Sequence, residues 1–388
     1  MLPLALPAFS LLVLTIAALG ARRAPSSAAA QAADRPRVAV LVPAHNESTH
    51  VLPTIACLRP QLGPRDRLLV VADNCSDDTA ALARGAGAEV VERRDTTRRG
   101  KGYALDFGVD CLRADPPEVV LVVDADCVLS DGAVEAIARD CHRSGMPVQM
   151  LDLMQAQPGA GLKLRVLEFA MVVKNLVRPL GTFRLGRACH LMGTGMALPW
   201  RLVSTAQLAT GHIAEDMKLG VELTRAGYPP RFLPEVRVSS SFVEDAEVAR
   251  VQKSRWVHGH LATMAEELPG LLRDALRRRD RAQFVLAMDL MIPPVAMYFL
   301  LLVGSLAAAA LAGWLWPAAR AAAAVLAVGT AAFGLAVGLA WWRHGRELLG
   351  ARELLMLPLY ALWKLPVYLA FFLKKRSGWV RTMRSPDR

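Results

Sequence analysis

The sequence has few cysteines and few aromatic residues, and it contains long stretches without acidic side chains. Six cysteines occur among 388 residues. They form no close pairs, which excludes zinc-type spacing and a disulfide framework and favours free thiols. Aromatic residues make up 6% of the chain and do not alternate with basic ones, so binding of nucleic acid is not expected. Because 53% of the residues are hydrophobic and 21% are charged, a disordered chain is also excluded.

The net charge is +11, and the mean hydropathy is positive. This combination is typical of a chain with apolar membrane spans and basic flanks on the cytoplasmic side. Much of the basic excess lies beside apolar runs, at Arg22 and Arg23, Arg277–Arg281, Arg343 and Arg346, and Lys374–Arg376. We therefore expect the lipid bilayer to be a partner.

The first apolar run lies at the N-terminus. No charged residue occurs from Leu2 to Ala21, and Arg22 and Arg23 follow directly. This pattern predicts a transmembrane helix within residues 1–21, then a linker at 22–36. The positive-inside rule places the residues after Arg22 in the cytosol.

Two further spans are predicted within residues 283–343. No acidic residue appears between Asp289 and Glu347, and a tight turn around Trp316 and Pro317 separates two uncharged runs. Residues 344–388 contain a last apolar segment, 354–373, and a basic tail. Lys364 and two prolines weaken this segment as a span. An interfacial helix is favoured slightly over a transmembrane one, and both stay open.

Residues 37–282 have the pattern of a cytosolic α/β domain. Short Val- and Leu-rich runs alternate with segments of helical period, and the strongest runs are apolar throughout, as in strands buried on both faces of a parallel sheet. The predicted strands are Val38–Val42, Leu68–Ala72, Glu89–Val91 and Val119–Val123. This order predicts a ligand crevice at the carboxyl ends of the strands.

Polar residues follow these strands. Pro43 and Glu47 come after the first strand, and Asp73 after the second. An aspartate at a strand end can accept hydrogen bonds from a nucleobase or a ribose. For Asp77 and Asp78, farther along, helix capping is the favoured role.

Asp124 and Asp126 follow the fourth strand on alternate positions. Paired carboxylates of this kind suit Mg²⁺ or Mn²⁺ bound together with substrate phosphates. Two ordinary loop acids are the alternative interpretation.

A second acidic pair, Glu215 and Asp216, lies at the start of a predicted helix. The helix dipole favours negative charge there, and this alone would explain both acids. A carboxylate held beside the crevice could also accept the proton of an attacking hydroxyl.

Gln252, Arg255 and Trp256 precede the C-terminal spans. A guanidinium can bind phosphate bidentately and an indole can stack on a sugar, which suits a phosphorylated sugar ligand. A juxtamembrane pair facing lipid headgroups is the alternative. For the nearby His258 and His260, hydrogen bonding is favoured over metal binding.

Taken in order, these residues resemble the family 2 glycosyltransferases of GT-A fold, in particular the membrane-integrated branch with cellulose, chitin and hyaluronan synthases. The resemblance implies an α/β GT-A domain with transmembrane helices. It also implies metal-dependent transfer of a sugar from a nucleoside diphosphate sugar to an acceptor hydroxyl, with inversion.

The resemblance further implies a role for each residue. Asp216 would be the general base, and Asp126 would hold Mg²⁺ or Mn²⁺. Gln252 and Trp256 would bind the acceptor. The nucleotide-sugar would contact the remaining candidates, which are Pro43, Glu47, Asp73, Lys101, Asp124 and Arg255. A solvated loop lysine is the alternative for Lys101.

The sequence thus predicts an enzyme of exopolysaccharide or glycolipid synthesis in a bacterial-type inner membrane, using a UDP-sugar by preference and a carbohydrate or lipid acceptor. Processive synthesis and single addition both stay open. A catalytically inactive scaffold or nucleotide-sugar sensor is the alternative, and a nucleotidyltransferase is a third hypothesis.

Overall fold

The computed structural model describes residues 2–20, 35–157, 159–242 and 246–363, and it divides into two compact units. The sheet unit comprises Arg22–Gln155 and Arg187–Ser241. The helical unit comprises Met1–Ala21, Ala156–Gly186 and Phe242–Arg388. The expected catalytic domain, residues 37–282, includes segments of both units, and its boundaries stay a prediction.

The sheet unit is built on a sheet of eight strands. These are β1 (Val38–Ala44), β2 (Arg67–Asp73), β3 (Glu89–Arg93), β4 (Val119–Val122), β5 (Val128–Leu129), β6 (Val148–Gln155), β7 (Met196–Pro199) and β8 (Arg231–Ser241). They lie in the order β3-β2-β1-β4-β7-β6-β8-β5. The four strands expected from the sequence, β1 to β4, pair in parallel with one another, and β6 and β8 form a second parallel pair. Strands β5, β6, β7 and β8 were not predicted. The sheet is mixed, because β7 pairs antiparallel with β4 and β6 and β5 pairs antiparallel with β8.

Helices cover both faces of this sheet. They are α2 (Val51–Leu58), α3 (Thr79–Gly85), α4 (Lys101–Leu112), α5 (Ala133–Ser144), α8 (Trp200–Val203) and α9 (Glu215–Arg225). Side chains alternate along a strand, so neighbours face opposite layers. In β1, Val40 lies in the apolar cluster that contains Ile137 of α5. Its neighbour Leu41 lies in the cluster with Leu105 of α4 and Leu219 of α9. Burial on both faces explains why the strand is apolar throughout.

The helical unit contains the remaining helices. They are α1 (Leu2–Leu19), α6 (Leu162–Val172), α7 (Arg178–Gly186), α10 (Ala246–Arg278), α11 (Arg281–Leu290), α12 (Val295–Leu315), α13 (Arg320–Ala340), α14 (Ala351–Leu355) and α15 (Leu357–Trp363). One π-helical turn joins α6 to α7, and another follows α13. Helix α1 packs against α7 and α13, and α12 packs against α13.

Three helical segments in the described ranges are long and apolar enough to cross a membrane, namely Leu2–Leu19, Val295–Leu315 and Pro317–Gly345. They match the three expected spans, with the turn at Trp316 and Pro317 where it was predicted. Small residues let α13 lie close to α1. A Cβ added at Gly329 would lie only 3.1 Å from the Cβ of Ala5. The hydroxyl of Tyr298 also donates a 2.6 Å hydrogen bond to the Leu4 carbonyl. Of the last apolar segment, residues 364–373 lie outside the described residues.

Candidate active site

Asp124 and Asp126 lie in the turn after β4, where the parallel strands end. The buried hydroxyl of Thr54 anchors this turn by donating a 2.8 Å hydrogen bond to the Ala125 carbonyl. Ligand atoms of Asp124, Asp126 and Cys127 all lie within 4.8 Å of one another. Burial raises the pKa of the Cys127 thiol well above its ordinary value, and Asp126 adds to the shift. Cys127 therefore stays protonated, and the two carboxylates are the donors that fit a hard divalent cation.

Lys101 bonds directly to Asp124. This lysine begins α4, and its ammonium donates hydrogen bonds to Oδ1 of Asp124 and, over 2.8 Å, to the Gly193 carbonyl. Burial lowers the pKa of Lys101, but Asp124 and Glu215 raise it by more, so the pKa lies above its ordinary value. Lys101 is therefore a cation among several carboxylates, which the solvated-loop alternative did not anticipate.

Gly193 places the start of α9 beside this group. Its φ is 86°, a left-handed conformation that favours glycine. A Cβ added there would lie 3.1 Å from Oδ2 of Asp216 and 3.3 Å from Nζ of Lys101. The Asp216 Oδ1 atom accepts a 2.7 Å hydrogen bond from the Met217 amide. Burial raises the pKa of Glu215 to about 7, and the Asp216 carboxylate adds to the shift. The structure thus brings Asp216, Lys101 and Asp124 together around one glycine turn.

Asp73, at the end of β2, forms a buried ion pair that was not predicted from the sequence. Nη1 of Arg93 donates a 2.7 Å hydrogen bond to Asp73 Oδ1, and each side chain is 9% exposed. The two residues are opposite each other in the register of β2 and β3. Nδ2 of Asn74 donates to the same oxygen over 2.9 Å. An arginine at the end of the strand next to Asp73 was the available signal.

Residues after β1 and β2 form interlocked turns. Pro43 lies within β1, opposite Val71 of β2. The Glu47 amide donates a 2.8 Å hydrogen bond to the Thr79 hydroxyl, which itself donates to Asp77. Asp77 also accepts from the Thr79 amide at the start of α3, as the capping hypothesis expected. The capping role expected for Asp78 is wrong, since its side chain makes no capping bond. Asp77 satisfies that helix end instead.

Gln252, Arg255 and Trp256 lie on α10, in the helical unit. The Trp256 side chain is 37% exposed. Their expected contacts with diphosphate and acceptor stay predictions. Nearby, His260 is buried and donates a 3.0 Å hydrogen bond to the Ile292 carbonyl. Burial lowers the pKa of His260 to about 3. This neutral, hydrogen-bonded histidine agrees with the sequence-based preference.

Known proteins resemble this chain in sequence and fold. A probable glycosyltransferase of Bacillus subtilis, YdaM, is 25% identical over 58% of this chain and 55% of its own length. A 4,4'-diaponeurosporenoate glycosyltransferase of Staphylococcus haemolyticus is 27% identical over 50% of this chain and 52% of its own length. The chain thus spans about half the length of these curated relatives.

A solved mannosyltransferase from Pyrobaculum calidifontis, in complex with GDP-Man and Mn²⁺, matches with a TM-score of 0.52. The match covers 89% of this chain and 100% of the other at 16% identity, and it confirms the predicted GT-A fold. The family model described as glycosyltransferase like family 2 matches residues 36–259, more than half of the chain. The protein therefore belongs to the family 2 glycosyltransferases.

Proposed function

We propose that the protein transfers a sugar from a nucleoside diphosphate sugar to an acceptor hydroxyl, with inversion at the anomeric carbon. Family membership supports sugar transfer. The observation that carries the proposal is the grouping of Lys101, Asp124 and Asp216 around the Gly193 turn. A carboxylate pair, a fixed cation and a separate carboxylate are the groups that such a transfer needs.

The donor binds at the strand ends in this proposal. Asp73 and Asp124 hold the nucleoside, with Pro43 and Glu47 lining its site. Asp126 would hold Mg²⁺ or Mn²⁺, since carboxylate oxygens are the ligands these cations prefer. A bound divalent cation would offset negative charge on the leaving diphosphate. Lys101 and Arg255 supply further positive charge to the same phosphates.

Asp216 acts as the general base. The acceptor oxygen attacks the anomeric carbon while the bond from that carbon to the diphosphate oxygen breaks, and the hydroxyl proton passes to the Asp216 carboxylate. Attack from the face opposite the leaving group inverts the configuration. The hydrogen bond from the Met217 amide holds Asp216 Oδ1, so Oδ2 is the atom we assign to the proton. Gln252 and Trp256 bind the acceptor, a carbohydrate or lipid.

The three apolar helices support a location in a bacterial-type inner membrane, with the catalytic domain on the cytosolic side. A membrane-bound enzyme that uses cytosolic nucleotide-sugars fits exopolysaccharide or glycolipid synthesis. Single addition and processive synthesis differ in the length of the product, which mass spectrometry of the product measures.

The test is release of nucleoside diphosphate by the detergent-purified protein. UDP-, GDP- and dTDP-sugars are offered with Mg²⁺, Mn²⁺ or chelator, and with membrane lipid extract as acceptor. Metal-dependent release from one donor class, lost in Asp216→Asn, is the expected result. No release and no nucleotide binding in any combination would overturn the proposal. Nucleotide-sugar binding without turnover would point to the inactive scaffold instead.

A further inference from the structure

The nucleobase of the donor can be inferred from the hydrogen bonds around Asp73, and this inference rests on the function proposed above. Oδ1 of Asp73 accepts two hydrogen bonds, from Nη1 of Arg93 over 2.7 Å and from Nδ2 of Asn74 over 2.9 Å. No residue within the described ranges donates to Oδ2. The side chain is 9% exposed. An oxygen that no described residue donates to, on a side chain that is otherwise mostly buried, is a place where a ligand N–H is expected.

Both donors to Oδ1 are fixed by other contacts. Nη2 of Arg93 donates to Oδ2 of Asp95 over 3.2 Å and to the Arg98 carbonyl over 2.8 Å. The Asn74 side-chain oxygen accepts a 2.8 Å hydrogen bond from the Asp95 amide, which turns its NH₂ group toward Asp73. The guanidinium and the amide are therefore not free to leave Oδ1 when a ligand arrives. Only one oxygen of Asp73 is left for the base.

We propose that Arg93 is a positioning residue that makes Asp73 a single acceptor and thereby selects uridine- or thymidine-type donors over guanosine-type donors. The Watson–Crick edge of uracil or thymine has one donor, the imide N–H, between two carbonyl oxygens. Guanine has two adjacent donors, N1–H and N2–H, which need both oxygens of a carboxylate. With Oδ1 occupied, one guanine donor is desolvated without a partner, and this loss weakens binding.

Calorimetric titration of the full detergent-purified chain with UDP and GDP, in Mn²⁺, tests this assignment. We expect UDP to bind at least about tenfold more tightly than GDP. Arg93→Lys should lower the ratio of UDP to GDP affinity, since the single nitrogen of an ammonium cannot take the places of both Nη1, which bonds Asp73, and Nη2, which bonds Asp95 and the Arg98 carbonyl. Asn74→Gly should also lower the ratio of UDP to GDP affinity, because the substitution removes the second donor to Asp73 Oδ1. Glycine tolerates the backbone φ of 53° at this position. Arg84→Lys is the control, because this arginine forms an exposed ion pair with Glu92.

Thermal melts establish that each variant is folded. Equal affinity for the two nucleotides, or tighter binding of GDP, would overturn the inference and leave the proposed function intact. A UDP preference that folded Arg93→Lys and Asn74→Gly both leave unchanged would remove Arg93 from this role. Binding of neither nucleotide by the wild-type protein would overturn the proposed function together with this inference.

Discussion

Gly193 lies so close to Asp216 that a Cβ on the glycine would come within 3.1 Å of the Asp216 Oδ2 atom. Gly193→Ala should therefore lower kcat, because the added methyl group displaces the proposed base. It should also lower stability, because alanine is strained at a φ of 86°. We expect a loss of about 1 kcal/mol or more in unfolding free energy. Gly227→Ala is the matched control, since its φ of 89° gives similar strain with no atom within 4 Å of the added Cβ. Equal losses of kcat in the two variants would contradict the prediction.

Asp216→Asn should lower kcat by about 10²- to 10⁴-fold with little change in donor binding, because only the proton acceptor is lost. Steady-state kinetics and titration with the nucleoside diphosphate measure the two effects separately. Glu222→Gln, on the same helix with its side chain 42% exposed, should retain kcat. Normal turnover of Asp216→Asn would remove this residue from the mechanism.

Asp126→Asn should weaken metal-dependent binding of the nucleoside diphosphate, since it removes one charged oxygen ligand from the carboxylate pair. The measurement is nucleotide affinity with Mn²⁺ and with chelator. The increase in nucleotide affinity that Mn²⁺ causes should be smaller in Asp126→Asn than in the wild-type protein. It should persist in Asp131→Asn, because Asp131 is an exposed acid after β5. Nucleotide binding indifferent to both metal and this substitution would mean that the metal assignment is wrong.

Glu215 should make the ligand-free protein less stable at higher pH. Burial raises its pKa from an ordinary 4.5 to about 7. The native state thus holds the proton more tightly, so the contribution of Glu215 to stability is complete below pH 4.5 and is lost as pH rises through 7. Glu215→Gln stays neutral and lacks this loss. The Tm of Glu215→Gln minus the Tm of the wild-type protein should therefore be larger at about pH 8 than at about pH 5. A difference in Tm that does not change with pH would refute the prediction.

Arg178→Met should destabilise the helical unit, because it leaves the Asp289 carboxylate without its guanidinium partner. Nε of Arg178 donates to Asp289 Oδ1 over 2.6 Å, and the side chains are 5% and 10% exposed. Removal of one member of a buried pair costs about 3–5 kcal/mol. Arg84→Met, which removes an exposed pair, should change stability by at most about 1 kcal/mol. Thermal melts of the two variants in detergent compare these losses, and similar values would refute the prediction.

Local pattern was sufficient for strands β1 to β4 and for the apolar helices. The continuous apolar run of β1 follows from its burial on both faces of the sheet. The helices α1, α12 and α13 can be recognised from the length and composition of their uncharged runs alone. Strands β5 and β7 were missed because two and four residues are too short for a periodic signal. Strands β6 and β8 were missed because polar residues and, in β8, a proline interrupt their apolar pattern. The capping residue of α3 was identified only in part, since Asp77 and Asp78 have the same chemistry and differ only in backbone position.

By itself, the sequence determined that the chain resembles a family 2 glycosyltransferase and which segments are apolar enough to enter a membrane; the roles of its site residues stay predictions. Both depend on residue type and order along the chain. Tertiary structure alone decided which of these side chains meet. Lys101 and Asp124 are 23 residues apart in sequence and become partners because the start of α4 lies beside the turn after β4 and the Gly193 carbonyl. Arg93 joins Asp73 only through the register of two strands. Such pairings arise from long-range packing, which local periodicity does not record.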